Sequence, residues 1–179
     1  MTDAKPVRSP HLIRDLKTVR PDVAEELLDV PDVFATPLLL GKLHAELHEV
    51  ALDPYDLEEY GDVLDVLEVL SARYGHSPSA IMKKAEAMAS AEIEQVKFKH
   101  PGLTFYEAAE MLRNDVHFHI EAAARDLGNE RWFVSIVRDL AASAALLRVD
   151  FDAIKNARAA KLARYGGYEG MHFWRMLDQ

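Results

Sequence analysis

Four carboxylates in the first half of the chain have the residue types and the spacing of a metal site. They form two consecutive pairs, Glu46 with Glu49 and then Glu59 with Asp62, each spaced i, i+3. Residues three apart on a helix project to one face, so each pair presents two carboxylates together. Mg²⁺ prefers such oxygen ligands and takes others from substrate phosphates. The pattern therefore indicates a site for one divalent ion, or for two bridged by a phosphate.

The apolar periodicity of the second helix places one of these carboxylates in an unfavourable environment. On a helical wheel Glu59 falls among Val66 and Leu70, and Asp62 lies at the edge of the same stripe. A carboxylate among apolar side chains is costly unless something neutralises it. We find no lysine or arginine spaced to pair with the four carboxylates along their own helices, so we expect a divalent cation there.

The alternative is a solvated acidic helix face, because Glu-x-x-Glu on its own is a common sequence. Asp65 and Glu68 extend the acidity of the second helix. They point away from the apolar stripe, and we interpret both as surface residues. Two such pairs lie on consecutive helices, and one of them lies in the apolar stripe. With this arrangement, the metal site and the solvated face are about equally well supported.

Two antiparallel helices must position these carboxylates. Apolar periodicity predicts a helix over residues 36–52, a break at Asp53-Pro54, and a second helix over residues 55–74 that Gly75 ends. A link this short makes the two helices antiparallel neighbours. The two carboxylate pairs are therefore expected to face each other.

Further helices are predicted on both sides of a break at Pro101-Gly102. They cover residues 78–98, with Ser77 as N-cap, 105–127, 129–147, and 150–165, with Asp150 as N-cap. Residues 1–20 are predicted to form a loosely held arm, and Pro21 to open a short helical segment whose apolar face is Val23, Leu27 and Leu28. The fold class is all-α, a helical bundle with the arm 1–20 and two halves, 21–100 and 101–179.

The two halves could be a tandem repeat. A gapless alignment lays residues 43–81 on 116–154 and places His44 on His117. In this register the four carboxylates meet residues that are not a carboxylate set: His119, Ala122, Trp132 and Ser135. Two unrelated helical hairpins would share such periodicity for generic reasons, so both interpretations stay open.

The sequence around the carboxylates resembles the all-α NTP pyrophosphatase superfamily, which includes MazG-like enzymes and phosphoribosyl-ATP pyrophosphohydrolases. The family pattern is Glu-x-x-Glu, a short spacer and Glu-x-x-Asp, and both pairs match it position by position. The segment HLIRDL from His11 is similar to the family's Val-Arg-Asp start. YGHSPSAI from Tyr74 is similar to the turn into its third helix, so the resemblance covers about residues 11–90.

The resemblance implies cleavage of a nucleoside or deoxynucleoside triphosphate to a monophosphate and diphosphate, with Mg²⁺ as cofactor and Mn²⁺ as a substitute. Glu46, Glu49, Glu59 and Asp62 would be the metal ligands and catalytic residues, with one glutamate as general base. It also implies a homo-oligomer, a dimer or a tetramer. Phosphoribosyl-ATP hydrolysis and a non-catalytic nucleotide- or protein-binding module are the alternatives.

Basic residues supply the candidate contacts to the substrate. Lys161 and Arg164, with the Gly166-Gly167-Tyr168 that follows, resemble the ending of the phosphoribosyl-ATP type, although they come much later in the chain than that ending does. We hypothesise that the second half brings Lys161 and Arg164 to the phosphates bound by the first. Arg164 could instead cap a helix end. Lys42 could reach a phosphate or lie on the surface.

Composition narrows the class of partner. The 179 residues carry a formal net charge of −9, whereas proteins that coat nucleic acid polymers are usually basic. The absence of cysteine excludes thiolate zinc sites. The N-terminal sequence lacks the apolar core of a signal peptide, and no stretch approaches the length of a membrane span. We expect a soluble, cytoplasmic protein without nucleic acid or membrane partners.

Overall fold

Six helices make up most of the part of the chain that the structure describes. This computed structural model describes residues 11–13, 25–28, 32–168 and 172–176. The helices are α1 (Asp32–Leu52), α2 (Leu57–Arg73), α3 (Pro78–Lys99), α4 (Phe105–Arg125), α5 (Glu130–Leu146) and α6 (Phe151–Tyr165). The predicted all-α character is confirmed for residues 32–165. None of the described helices is long and apolar enough to cross a membrane.

Local signals fix where the helices begin and end. Ser77 and Asp150 cap α3 and α6 as predicted, and each side chain accepts a hydrogen bond from a first-turn amide. Thr104 and Glu107 form a reciprocal capping box at the start of α4. Gly75 follows α2 at φ +80°, a left-handed conformation in which a side chain would be strained.

The two halves share one helical layout. The offset that places His44 on His117 also carries α1 onto α4 and α2 onto α5 with identical bounds, and it carries the first residue of α3 onto the first residue of α6. The third helix of each half packs on the second helix of the other half: α3 packs on α5, and α6 packs on α2. The order and the bounds of the helices therefore agree between the two halves.

One hydrophobic core joins the halves. It includes the stripes predicted for the first two helices, such as Leu43 and Leu47 of α1 and Val66 and Leu70 of α2, all nearly inaccessible to solvent. Residues from α3 to α6 complete the same cluster. Burial of these side chains, at about 25 cal/mol per Å² of apolar surface, is the main force that holds α1 against α2.

Three short strands form a small antiparallel sheet beside the bundle. They are β1 (His11–Ile13), β2 (Glu25–Leu28) and β3 (His172–Met176), in the order β1-β3-β2. The helical segment predicted to open at Pro21 is therefore wrong where it overlaps β2. The apolar pair Leu27 and Leu28 is too short to specify a helix, and the strand that pairs with it lies near the opposite end of the chain.

Candidate metal centre

Three of the four predicted carboxylates converge between α1 and α2. One side-chain oxygen each of Glu46, Glu49 and Glu59 lies within 4.8 Å of the others. The helices are antiparallel neighbours joined by residues 53–56, and the i, i+3 spacing turns both members of the α1 pair toward α2. This group was predicted from the sequence.

The fourth predicted ligand lies beside this group. Asp62 is buried, and its Oδ2 accepts a hydrogen bond from Lys161 Nζ at 2.8 Å. Its negative charge still raises the pKa values of both Glu46 and Glu59, so it belongs to the same electrostatic environment. In this structure Asp62 links the carboxylate group to α6.

Burial and mutual repulsion destabilise the ionised carboxylates. Glu46 is 1% exposed, and burial raises its pKa above the usual value. Burial, a hydrogen bond with Glu49 and the charges of Glu49, Glu46 and Asp62 raise the pKa of Glu59 to about 7. Oε2 of Glu46 and Oε2 of Glu59 are buried without a hydrogen-bond partner among the described residues. Such oxygens fit the role of ligands to a divalent cation.

One cation along the first helix was missed. Lys42 forms an ion pair with Glu46, four residues further on the same helix face. Our expectation that no lysine is spaced to pair with these carboxylates along their own helix is wrong at this position. The lysine offsets part of the burial cost of Glu46, but the pKa of Glu46 stays raised, so one cation does not neutralise the cluster.

Helix α6 brings two basic residues of the second half to the same region. Lys161 Nζ lies 2.8 Å from Asp62 Oδ2 and 3.4 Å from Glu58 Oε2. Arg164 lies nearly one turn further along, with its guanidinium 5.3 Å from the Tyr165 ring centre. A hollow of about 480 Å³ lies beside them, lined by Glu58, Ala157, Ala160, Lys161, Ala163, Arg164 and Tyr165.

Close packing and a second ion pair hold α6 against α2. A Cβ atom added to Gly61 would come within 3.1 Å of Arg158 Cβ, so glycine permits the close approach of the two helices. The Arg158 guanidinium pairs with Asp65 and Glu68. Asp65 is 2% exposed, so the prediction of a surface aspartate is wrong, because α6 covers that side of α2. No spacing rule could have paired residues 93 positions apart.

The equivalent region of the second half is an ion-pair network. His119, at the position equivalent to Glu46, lies with Nε2 3.1 Å from Asp139 Oδ2. Asp139 is 1% exposed and also pairs with Arg138, which reaches Glu92. Arg138 and His119 face carboxylates here, whereas three carboxylates converge between α1 and α2. The carboxylate group is therefore a property of the first half.

No protein-family model, curated protein or solved structure matches this chain. The superfamily resemblance therefore rests on the carboxylate pattern and its flanking residues. The site has to be interpreted from its own geometry.

Proton linkage predicts how a divalent cation changes the stability of this site. Because the pKa of Glu59 is raised, the protonated carboxyl stabilises the fold fully below about pH 4.5, and this contribution is lost as the pH rises toward about 7. Mg²⁺ competes with that proton. We expect millimolar Mg²⁺ to raise the melting temperature by several degrees at about pH 8 and hardly at about pH 5.5.

Differential scanning fluorimetry at both pH values measures this effect. Glu59→Gln serves as the comparison and should remove most of the pH dependence. An equal Mg²⁺ effect at both pH values would contradict the linkage between the proton and the cation.

Proposed function

We propose that this protein is a Mg²⁺-dependent nucleoside triphosphate pyrophosphohydrolase that converts an NTP or dNTP to the monophosphate and diphosphate. The observation that carries the proposal is the convergence of Glu46, Glu49 and Glu59 within 4.8 Å, with buried oxygens that lack a hydrogen-bond partner among the described residues. Structural stability alone gives no reason to collect three like charges in a half-buried position. A divalent cation carried by a phosphate substrate does.

The proposed roles of the acidic residues follow from their burial. The buried Glu46 and the half-buried Glu59 would hold Mg²⁺, and the exposed Glu49 would complete the site from the solvent side. When bound, Mg²⁺ supplies charge neutralisation of the triphosphate and Lewis-acid activation of the attacking water. Glu59 would also accept the proton of that water as general base. Water attacks the α-phosphorus, and the bond to the bridging oxygen breaks to release diphosphate.

The basic residues of α6 support an anionic substrate at this site. Lys161 is held between Asp62 and Glu58, so its ammonium group is already positioned beside the carboxylate group. A triphosphate that arrives with its cation would compete with Asp62 and Glu58 for that ammonium group. Arg164 borders the hollow next to Lys161 and offers a second donor for phosphate oxygens. This arrangement agrees with the hypothesis that the halves complement each other.

A free NTP or dNTP is the favoured substrate class. The basic segment comes later in the chain than in the phosphoribosyl-ATP type that it resembles, and the second half is long. These features argue mildly against phosphoribosyl-ATP. Adjustment of the nucleotide pool, or removal of unwanted nucleotides, would then be the biological role.

A product assay tests the proposal directly. Purified full-length protein is incubated with all common NTPs and dNTPs and with phosphoribosyl-ATP, with Mg²⁺ or Mn²⁺, and nucleoside monophosphate and diphosphate are quantified. We expect equimolar monophosphate and diphosphate from at least one triphosphate, and no release of single phosphates. Absence of turnover on the whole panel by folded protein would favour a non-catalytic binding module.

Replacement of Lys161 predicts a loss in substrate capture. Lys161→Met should lower kcat/KM by about 10- to 100-fold, mainly through a higher KM, because a charged hydrogen bond to phosphate contributes about 1.5–3 kcal/mol. Steady-state kinetics on the best substrate measure the change. Lys155→Met is the matched control on the same helix, since Lys155 pairs with Glu86 and Asp152 instead. An unchanged KM in the Lys161 variant would remove Lys161 from the substrate site.

A further inference from the structure

Two histidines from equivalent positions of the two halves face each other between α1 and α4. His44 Nδ1 lies 3.2 Å from His117 Nδ1, and the ring planes differ by only 7° with centres 5.4 Å apart. The offset that superposes the helices of the two halves relates these two positions. The contact therefore joins two equivalent positions of the halves directly.

A second equivalent pair lies one helical turn further along the same helices. His48 follows His44 at i, i+4, and Glu121 follows His117 at i, i+4, and the same offset relates His48 to Glu121. Glu121 Oε1 lies 3.3 Å from His44 Nε2. His48 is close enough for its charge to lower the pKa of His117, after the larger effects of burial and of His44. Two imidazoles and one carboxylate are therefore in contact here, and His48 lies in their neighbourhood.

The carboxylate of Glu121 favours one tautomer of His44. Glu121 Oε1 lies on the Nε2 side of the His44 ring, so a proton on Nε2 would face the carboxylate and leave the Nδ1 lone pair toward His117. A histidine whose far nitrogen donates to a carboxylate while the near nitrogen presents its lone pair is the arrangement found in metal-ligating histidines. Burial lowers the pKa of His117, which keeps that ring in the neutral form that binds metal.

The distance between the two nitrogens also fits a shared metal ion. Two nitrogens bound to one tetrahedral Zn²⁺ at 2.0–2.1 Å lie about 3.3 Å apart. Imidazole nitrogen favours Zn²⁺, Co²⁺, Ni²⁺ and Cu²⁺ over Mg²⁺, which prefers the oxygens of the carboxylate group. The two sites therefore differ in the class of cation that each one selects.

We propose that His44 Nδ1 and His117 Nδ1 are two ligands of a transition-metal site of the Zn²⁺ class that links α1 to α4. Glu121 orients the His44 ring, and water would complete the coordination. The site is separate from the carboxylate group and does not depend on the proposed hydrolase activity. Its effect is to join the two halves of the chain through α1 and α4.

Cobalt binding to the full-length protein tests this site. The double variant Glu46→Gln/Glu59→Gln serves as the background, because it removes two carboxylates of the carboxylate group and leaves the histidines intact. We expect Co²⁺ to produce the visible absorption bands of nitrogen ligation, and Zn²⁺ to displace it. His117→Ala and His44→Ala should each weaken Co²⁺ binding by more than about tenfold, and Glu121→Gln by about tenfold.

The matched control is His100→Ala, an exposed histidine at the end of α3, which should bind Co²⁺ like the background protein. Zn²⁺-induced shifts of histidine ring nitrogens, followed by NMR in the background protein, provide a readout that does not depend on the folding of a histidine variant. We expect the Nδ1 signals of His44 and His117 to move. Unshifted Nδ1 signals, or Co²⁺ binding that persists in both histidine variants, would overturn the proposal and leave a simple hydrogen bond between the two rings.

Discussion

Glu59→Gln is expected to lower kcat by at least about a thousandfold while raising the melting temperature of the metal-free protein. Loss of a ligand and of the proposed proton acceptor removes several kcal/mol of transition-state stabilisation. The gain in stability has a separate cause. The amide has the same shape as the carboxyl group but carries no charge, so it relieves the repulsion from Glu49, Glu46 and Asp62.

The opposite signs of these two effects make the experiment specific. The melting temperature at about pH 8 without metal should rise by a few degrees, since relief of like-charge repulsion in a half-buried site is worth about 1 kcal/mol. Glu94→Gln is the control, because Glu94 lies exposed on α3 and pairs only with Lys97 in the structure described here. That variant should keep both activity and melting temperature.

Two outcomes would reject this assignment. Full activity of Glu59→Gln would mean that the carboxylate group does not catalyse the reaction. A fall in both activity and helical content would mean that Glu59 has a structural role. Product quantification and far-ultraviolet circular dichroism distinguish these results.

Arg158→Met is expected to lower the free energy of unfolding by about 3 kcal/mol and the melting temperature by about 10 °C. Arg158 pairs with Asp65, which is 2% exposed, and with Glu68, and it crosses from α6 to α2. Removing the guanidinium takes the positive partner from a buried aspartate and leaves a cost that methionine cannot offset.

A surface ion pair on the same helix provides the matched control. Lys155→Met removes ion pairs to Glu86 and Asp152, which are well exposed, and should change stability by less than about 1 kcal/mol. Asp65→Asn in the Arg158→Met background removes the buried charge and should recover part of the lost stability. Chemical denaturation measures all three variants. An Arg158 variant as stable as the control would show that the buried pair contributes little.

The helices could be predicted closely because their signals are local. Proline after Ser77, glycine after Tyr74 and the Asp53-Pro54 break each act within a few residues. The observed α1, α2 and α3 agree with the predicted helices to within a few residues at each end. The strands were missed because β3 pairs with segments near the opposite end of the chain, and strands this short carry too little periodicity to reveal such pairing.

The part of the candidate site that depends on local spacing was also predictable. Glu46, Glu49 and Glu59 come together through an i, i+3 spacing and a short helix link, both of which the sequence shows. The contact of Lys161 with Asp62 was not predicted, because the matching halves suggested only that Lys161 and Arg164 meet the substrate's phosphates. Arg158 and Asp65 carried no such signal, because their pairing depends on how α6 lies across α2. Lys42 was overlooked although its i, i+4 spacing to Glu46 is visible.

The shared layout of the two halves lets equivalent positions mutate independently. A homodimer repeats every mutation in both subunits, so it cannot change one copy of a residue and keep the other. Here both copies occupy one polypeptide, and each position changes alone. Glu46 can remain acidic while its counterpart is His119, and Lys161 can serve the opposite copy although its own counterpart is Met88. Two equivalent halves in one polypeptide thus permit differences that a symmetric dimer would forbid.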